Sequence, residues 1–195
     1  MPTVPKTSVA KVVAAARRIV ERNGLQALSM QAVAKAVRVQ TPSLYKRVPD
    51  RAWLVRAVTR EAMAEAKQML VAAASTGSPV DDIQTMATAW RNYAHRFPHL
   101  YALFLASEVE LDTKEYASMA EPLLARAKEI VGKDEALPFA RLLTAFTHGF
   151  ISMELSGAFH LGGSVDDAFA YGLERILRGA GRKASRRLSR TSGRT

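Results

Sequence analysis

Apolar residues in this 195-residue chain recur at spacings of three and four, and no stretch sustains the alternation that a half-buried strand requires. An all-α protein of about nine helices is expected. Glycine, proline and small polar residues punctuate the helices. The first is expected from about Ser8 to Asn23, with Val9, Val12, Val13, Ala16, Ile19 and Val20 on one face. Ser8 can cap its start, and Gly24 suits the left-handed residue just past its end. A short second helix follows, capped by Ser29 and carrying Met30, Val33, Ala34 and Val37.

The next stretch, VQTPSLYKRV over residues 39–48, is narrowly bounded. Thr41 is a good N-cap, and Pro42 at the first helical position has its φ preset and loses no needed N–H. Pro49 disfavours helical geometry in the residue before it, so the helix is confined to residues 42–48. Leu44 and Val48, four apart, are expected to face inward with Val33, Val37 and Val39. Ser43, Lys46 and Arg47 then share the outward side, with Gln40 and Thr41 at its N-terminal edge. The amides at that end, with Thr41, can hold a phosphate. Asp50 is expected to cap a longer helix that turns Trp53, Leu54, Val58 and Ala62 to the core and ends near residues 75–79. Further helices are expected at about residues 80–96, 98–107, 113–131 (with a kink at Pro122), 135–158 and 165–178. The segment 181–195, GRKASRRLSRTSGRT, has almost no apolar residues and is expected to be disordered.

Charge is segregated along the chain. Residues 1–60 hold 12 Lys and Arg against 2 Asp and Glu; residues 61–179 hold 10 against 16; residues 180–195 hold 6 against none. A basic module that meets a polyanion, joined to an acidic body, has this pattern. A small basic domain without a partner has it too. With no cysteine, disulfides and thiolate metal sites are excluded. No apolar run of membrane-spanning length and no signal-peptide pattern is present, so a cytoplasmic protein is expected. Nucleophile elbows, phosphate-cradling glycine loops and paired catalytic carboxylates are also missing, and an enzyme is not expected.

Two short helices joined by a tight turn, the second with a donor-rich basic face, make a helix-turn-helix suited to the DNA major groove. Residues 8–60, and TPSLYKRVPDRAWL above all, resemble the DNA-binding domain of the TetR family of transcriptional regulators. The resemblance implies phosphate or base contacts from Gln40, Thr41, Pro42, Ser43, Tyr45, Lys46 and Arg47, with Arg51 standing where the family usually has a phosphate-binding Lys. Ser29 and Gln31, at the start of the second helix, join this expected DNA-facing set. Arg38 occupies the position where the family's turn normally carries Gly; if its φ is positive, Arg there costs on the order of 1 kcal/mol.

The stretches 88–107, 147–159 and 165–180 are similar to the C-terminal ligand-binding and dimerisation domain of a TetR subgroup named for a Trp-His-Gly signature. His148-Gly149 is present and the Trp is not, Phe146 being the nearby aromatic. The expected domains are thus residues 8–52, a three-helix DNA-binding domain; residues 53–180, a helical ligand-binding and dimerisation domain; and the tail, residues 181–195. A homodimer is expected because one short helix reads few base pairs. Its seam is expected from Phe146, Gly149, Phe150, Met153, Phe169, Gly172, Leu173 and Ile176, although all of these can equally fill the chain's own core. Met86, Trp90, Tyr93, Phe97, Tyr101, Phe104, Met119, Leu123, Phe146 and Phe150 are the candidate lining for a mostly hydrophobic small-molecule effector. His95 and His99, four apart, lack committed carboxylate or Cys partners, so no metal or other cofactor is expected. The reading is a DNA-binding regulator, a repressor released from a palindromic operator by its effector. The alternative is a sequence-independent nucleic-acid binder that uses the basic tail.

Overall fold

A computed structural model describes residues 8–106, 109 and 111–191, with side chains to residue 180. Among the described residues there are nine α-helices: α1 (Val9–Asn23), α2 (Met30–Ala36), α3 (Thr41–Tyr45), α4 (Arg51–Ala73), α5 (Pro79–Arg96), α6 (Pro98–Leu103), α7 (Thr113–Val131), α8 (Lys133–Leu155) and α9 (Val165–Thr191). Among the described residues there is no strand. Capping explains several of the boundaries. Ser8 Oγ accepts the Lys11 N–H and the Gly24 N–H closes onto Val20 O at 2.8 Å, bracketing α1 as the sequence indicates. Asp50 starts α4 by accepting the Trp53 N–H at 2.6 Å. At α7, Asp112 and Glu115 form a reciprocal capping box, each carboxylate accepting the other's backbone N–H, at 2.8 and 2.9 Å.

The helices form two compact units, and their division differs from the expected cut after residue 52. One unit takes residues 1–66 together with residues 96–116, and the other takes residues 67–95 with 117–195; the first boundary falls within α4. The first unit's core is built from Val12, Ala16 and Val20 of α1, Val33 of α2, Leu44 of α3, Val48, and Leu54 and Val58 of α4. Leu100 and Leu103 of α6 complete it, and both are buried. α6 lies against α1 where Gly24 has φ 77°; a Cβ there would stand 3.3 Å from His99 Nδ1. Within this unit, ion pairs of Arg17 with Glu65 and of Arg60 with Glu115 join helices, and Arg17 also pairs with Glu21 along α1.

The second unit packs Ile83 and Ala87 of α5, Ala127 of α7, Phe139 and Leu143 of α8, and Phe169, Leu173 and Leu177 of α9. Phe146 reaches over Gly172, where a Cβ would lie 2.5 Å from its ring. Asp82 at the start of α5 accepts both the backbone N–H and the hydroxyl of Thr76 and pairs with Arg126 at 2.9 Å. These contacts, the Thr76 hydroxyl first, hold its carboxyl below the usual carboxylate range. Arg91 of α5 pairs with Glu154 near the end of α8 and with Asp166 at the start of α9, its guanidinium over the Phe169 ring. His95 Nε2 lies 3.0 Å from Glu154 Oε2. The Arg91 hydrogen bond, helped by His95, lowers the Glu154 carboxyl to about 2. α9 continues to Thr191, eleven residues into the segment expected to be disordered; residues 192–195 of that segment lie outside the described residues.

Leu100 is fully buried although it lies far outside residues 8–52. Leu100→Ala should therefore destabilise the first unit by about 2–5 kcal/mol in chemical denaturation. Acid should also weaken the second unit. Glu154 is ionised at a folded-state pKa below its unfolded one, so its contribution is complete above the unfolded value and is lost as pH falls from about 5 towards 2. Glu154→Gln should be less stable at pH 7 and lose less on acidification, as read by thermal melts across that range.

Candidate nucleic-acid interface

The surface is set by three short segments. Ser29, in extended conformation, starts α2 by accepting the Ala32 N–H at 3.1 Å, so its hydroxyl is engaged in a cap. The end of α2 is a Schellman turn: Val39 N–H bonds Ala34 O at 3.0 Å and Arg38 N–H bonds Lys35 O at 3.2 Å. Such a turn puts the residue past the cap in the left-handed region, and Arg38 has φ 56°. A side chain there costs about 1 kcal/mol relative to Gly. Val39 packs back onto the first core and so fixes the direction in which the chain leaves α2.

Gln40, and not the expected Thr41, is the N-cap of α3. Its carbonyl accepts from Ser43 and Leu44, so Thr41 is already helical and Pro42 follows it inside the first turn. The Gln40 side chain makes no cap hydrogen bond. Regular helix stops at Tyr45, shorter than the expected residues 42–48, but Arg47 and Val48 N–H groups still bond Leu44 O and carry the turn onward. Leu44 is 0% exposed and Val48 1%, which anchors one side of this turn. Gln40, Pro42, Ser43 and Lys46 are consequently exposed, Thr41 and Arg47 half-buried, and Tyr45 53% exposed. Gln31 on α2 is exposed as well. Trp53 packs half-buried on the core. Arg51 has a duty the sequence did not reveal: its Nε and Nη2 groups donate to the carbonyls of Leu28 and Leu25 at 2.8 and 3.0 Å, holding the 3-10 turn ahead of α2.

A short helix anchored by one face and offering hydroxyl, amide, phenol and cations on the other, after a tight turn from a second helix, defines a helix-turn-helix DNA-binding protein. Residues 12–58 match the family profile described as bacterial regulatory proteins, tetR family, and residues 83–176 match the tetracyclin repressor-like C-terminal domain. The chain belongs to the TetR family of transcriptional regulators, with a DNA-binding helix-turn-helix and a ligand-binding domain. An uncharacterised HTH-type transcriptional regulator of Mycobacterium tuberculosis is 29% identical over 158 residues, 78% of this chain and 72% of that protein. Ligand-free ActR of Streptomyces coelicolor has the same fold, with a TM-score of 0.72 at 20% identity over 94% of this chain and 99% of that one. So does a TetR variant from Acinetobacter baumannii in complex with minocycline, with a TM-score of 0.67 at 19% identity over 90% and 97% of the two chains. Family membership favours the specific regulator over the sequence-independent binder.

The ten candidate effector residues divide between the units. Phe97, Tyr101 and Phe104 belong to the first, Phe97 packing on its core and stacking under Arg96. The other seven belong to the second. There Trp90 and Tyr93 stack with centroids 5.7 Å apart, and His148 meets Trp90 edge-on at 5.7 Å. Burial lowers the His148 imidazole below its ordinary value and favours the neutral ring. Met86 is buried, whereas Met119, Leu123, Phe146 and Phe150 are half-buried. Of the expected dimer seam, Phe169 and Leu173 are consumed by the chain's own core, and Gly172 gives its space to Phe146. Met153 and Gly149 are exposed, as are Leu142, Leu155 and Tyr171. A concavity of about 260 Å³ in the loop between α8 and α9 is lined by residues 158–165 and Ala168, most of them exposed. Among the described residues no three His, Asp or Glu side chains gather into a metal site, and no helix is long and apolar enough to cross a membrane.

The Arg51 clamp can be tested without DNA. Arg51→Ala removes two charge-assisted hydrogen bonds to buried-side carbonyls and should lower stability by about 1–3 kcal/mol in chemical denaturation.

Proposed function

We propose that this chain is a repressor that binds an inverted-repeat operator as a homodimer and leaves it when a small, mostly apolar effector occupies its C-terminal domain. The observation that carries the reading is the sidedness of α3: Leu44 and Val48 are buried while Gln40, Ser43 and Lys46 face solvent. A helix of five residues reads only a few base pairs, so useful specificity needs a second copy with its helix about 34–36 Å away, one turn along the duplex. The seam we assign to that copy uses Leu142, Gly149 and Met153 of α8 with Tyr171 and Ile176 of α9. Its support is that Leu142 and Met153 remain 53% and 48% exposed on a helix whose other face is buried.

The effector is assigned to the aromatic group of Trp90, Tyr93 and His148 with Met86, Phe146 and Phe150 in the second unit. Large apolar rings with a neutral imidazole suit a ligand held by shape and a few hydrogen bonds. The minocycline complex of the Acinetobacter baumannii TetR variant supports the general mode, the ligand of this chain being its own. Release follows when the effector binds the DNA-incompetent conformation more tightly than the competent one.

Selection of duplexes from a random pool by the full chain tests the reading. The recovered sites should be two-fold symmetric, with half-site centres about 10 base pairs apart. Gln40→Ala should relax one position in each half-site by about 1–3 kcal/mol, and Lys46→Ala should weaken binding to all duplexes alike. Leu142→Arg with Met153→Arg should yield monomers in sedimentation. Recovered duplexes without symmetry, or a double variant that remains dimeric, would remove the operator and seam assignments respectively.

A further inference from the structure

Packing does not account for one residue of the DNA-facing unit. Among the described residues, Arg38 is the non-glycine with a positive φ. It sits at the left-handed position of the Schellman turn, where glycine closes the same two hydrogen bonds without strain. Inside the chain the side chain returns nothing: it is exposed, and among the described residues its guanidinium has no hydrogen-bond, ion-pair or aromatic partner. The dipole of α2 does not require it either, because Lys35 already supplies a cation in the last turn of that helix. Strain held without an internal return points to a job outside the molecule.

Resting on the helix-turn-helix reading, we propose that Arg38 is a phosphate-contact residue of the DNA interface, gripping the backbone beside the groove that α3 enters. The residue lies two positions before the N-cap of α3, on the connection that delivers that helix. Base edges are met by the N-terminal residues of the second helix, whereas flanking turns lie over the sugar-phosphate chain. A glycine in this turn offers DNA only backbone, while Arg adds a permanent charge on a long stem that can clear the turn. The side chain thereby converts a strained turn into an added electrostatic contact.

The test uses the full chain, a labelled duplex recovered by wild-type selection, and a scrambled duplex of equal length, with affinity read by anisotropy across a salt series. Arg38→Gly should hold or raise the melting temperature without DNA. Arg38→Gly and Arg38→Gln should both weaken binding to the two duplexes by a similar factor, and should flatten the slope of log K against log salt by about 0.9 for each Arg38 engaged. Arg38→Lys should retain most of that slope. Unchanged slopes in the Gly and Gln variants would overturn the proposal, as would a loss confined to the selected duplex, which would make Arg38 a reader of bases. A wild-type chain that recovers no preferred duplex would instead overturn the helix-turn-helix reading and this proposal with it.

Discussion

Burial of Leu44 and Val48, one turn apart, is the constraint on which the candidate DNA-facing surface depends. A helix of five residues has no independent stability, because nucleation is costly and propagation has no length over which to recover it. Its orientation is therefore dictated by what its inward side chains bury, and the rotation of every outward donor follows. The termini contribute timing more than energy. Val39 folded back on the core sets where α3 can start, and Pro49 with the Asp50 cap sets where the next helix takes over.

That anchor is itself supported from a distance. The core under Leu44 includes Leu100 and Leu103, so the DNA-binding unit folds around a helix that the chain supplies only after α5 has been completed. This arrangement explains why a cut after residue 52 looked natural from sequence and differs from the structure. A helix is expected over residues 98–107, but periodicity does not say which unit a helix packs into, so the place of Leu100 and Leu103 in the first core is not legible there. The local features were legible for the opposite reason. Ser8, Gly24, Ser29 and Asp50 act within three or four residues of themselves, so their roles can be read without knowing the fold. Thr41 was the exception: it is a better cap than Gln40 by side chain, but the backbone turn at Val39 starts the helix one residue sooner.

The body was legible as helices and less so as surfaces. α5 and α7 fall within a residue of their expected bounds because proline, glycine and acidic capping groups frame them. The aromatic residues at helical spacing are all apolar enough for a pocket, and Phe97, Tyr101 and Phe104 fall in the first unit. In the same way, Phe169 and Leu173 of α9 fill the chain's own core while Leu142 and Met153 of α8 do not. A side chain facing its own core and one suited to a second copy have the same chemistry, so sequence cannot separate them.

Within the first unit, Arg17 and Arg60 on α1 and α4 pair with the carboxylates of Glu21, Glu65 and Glu115. Asp50 is spent on a helix start. Among the described residues no carboxylate pairs with Lys35, Arg38, Lys46 or Arg47, which cluster on α2, the turn and α3. Had the acids been distributed to neutralise these cations, α3 would have kept its shape and lost its field. Because these acids are used elsewhere, the surface around α3 stays positive at short range, and in the proposed interface a duplex with about one charge per 1.7 Å of axis would supply the missing counter-charge. The net charge of the first 60 residues is a matter of composition, 12 Lys and Arg against 2 Asp and Glu, and its local effect is set by the cations left unpaired beside α3.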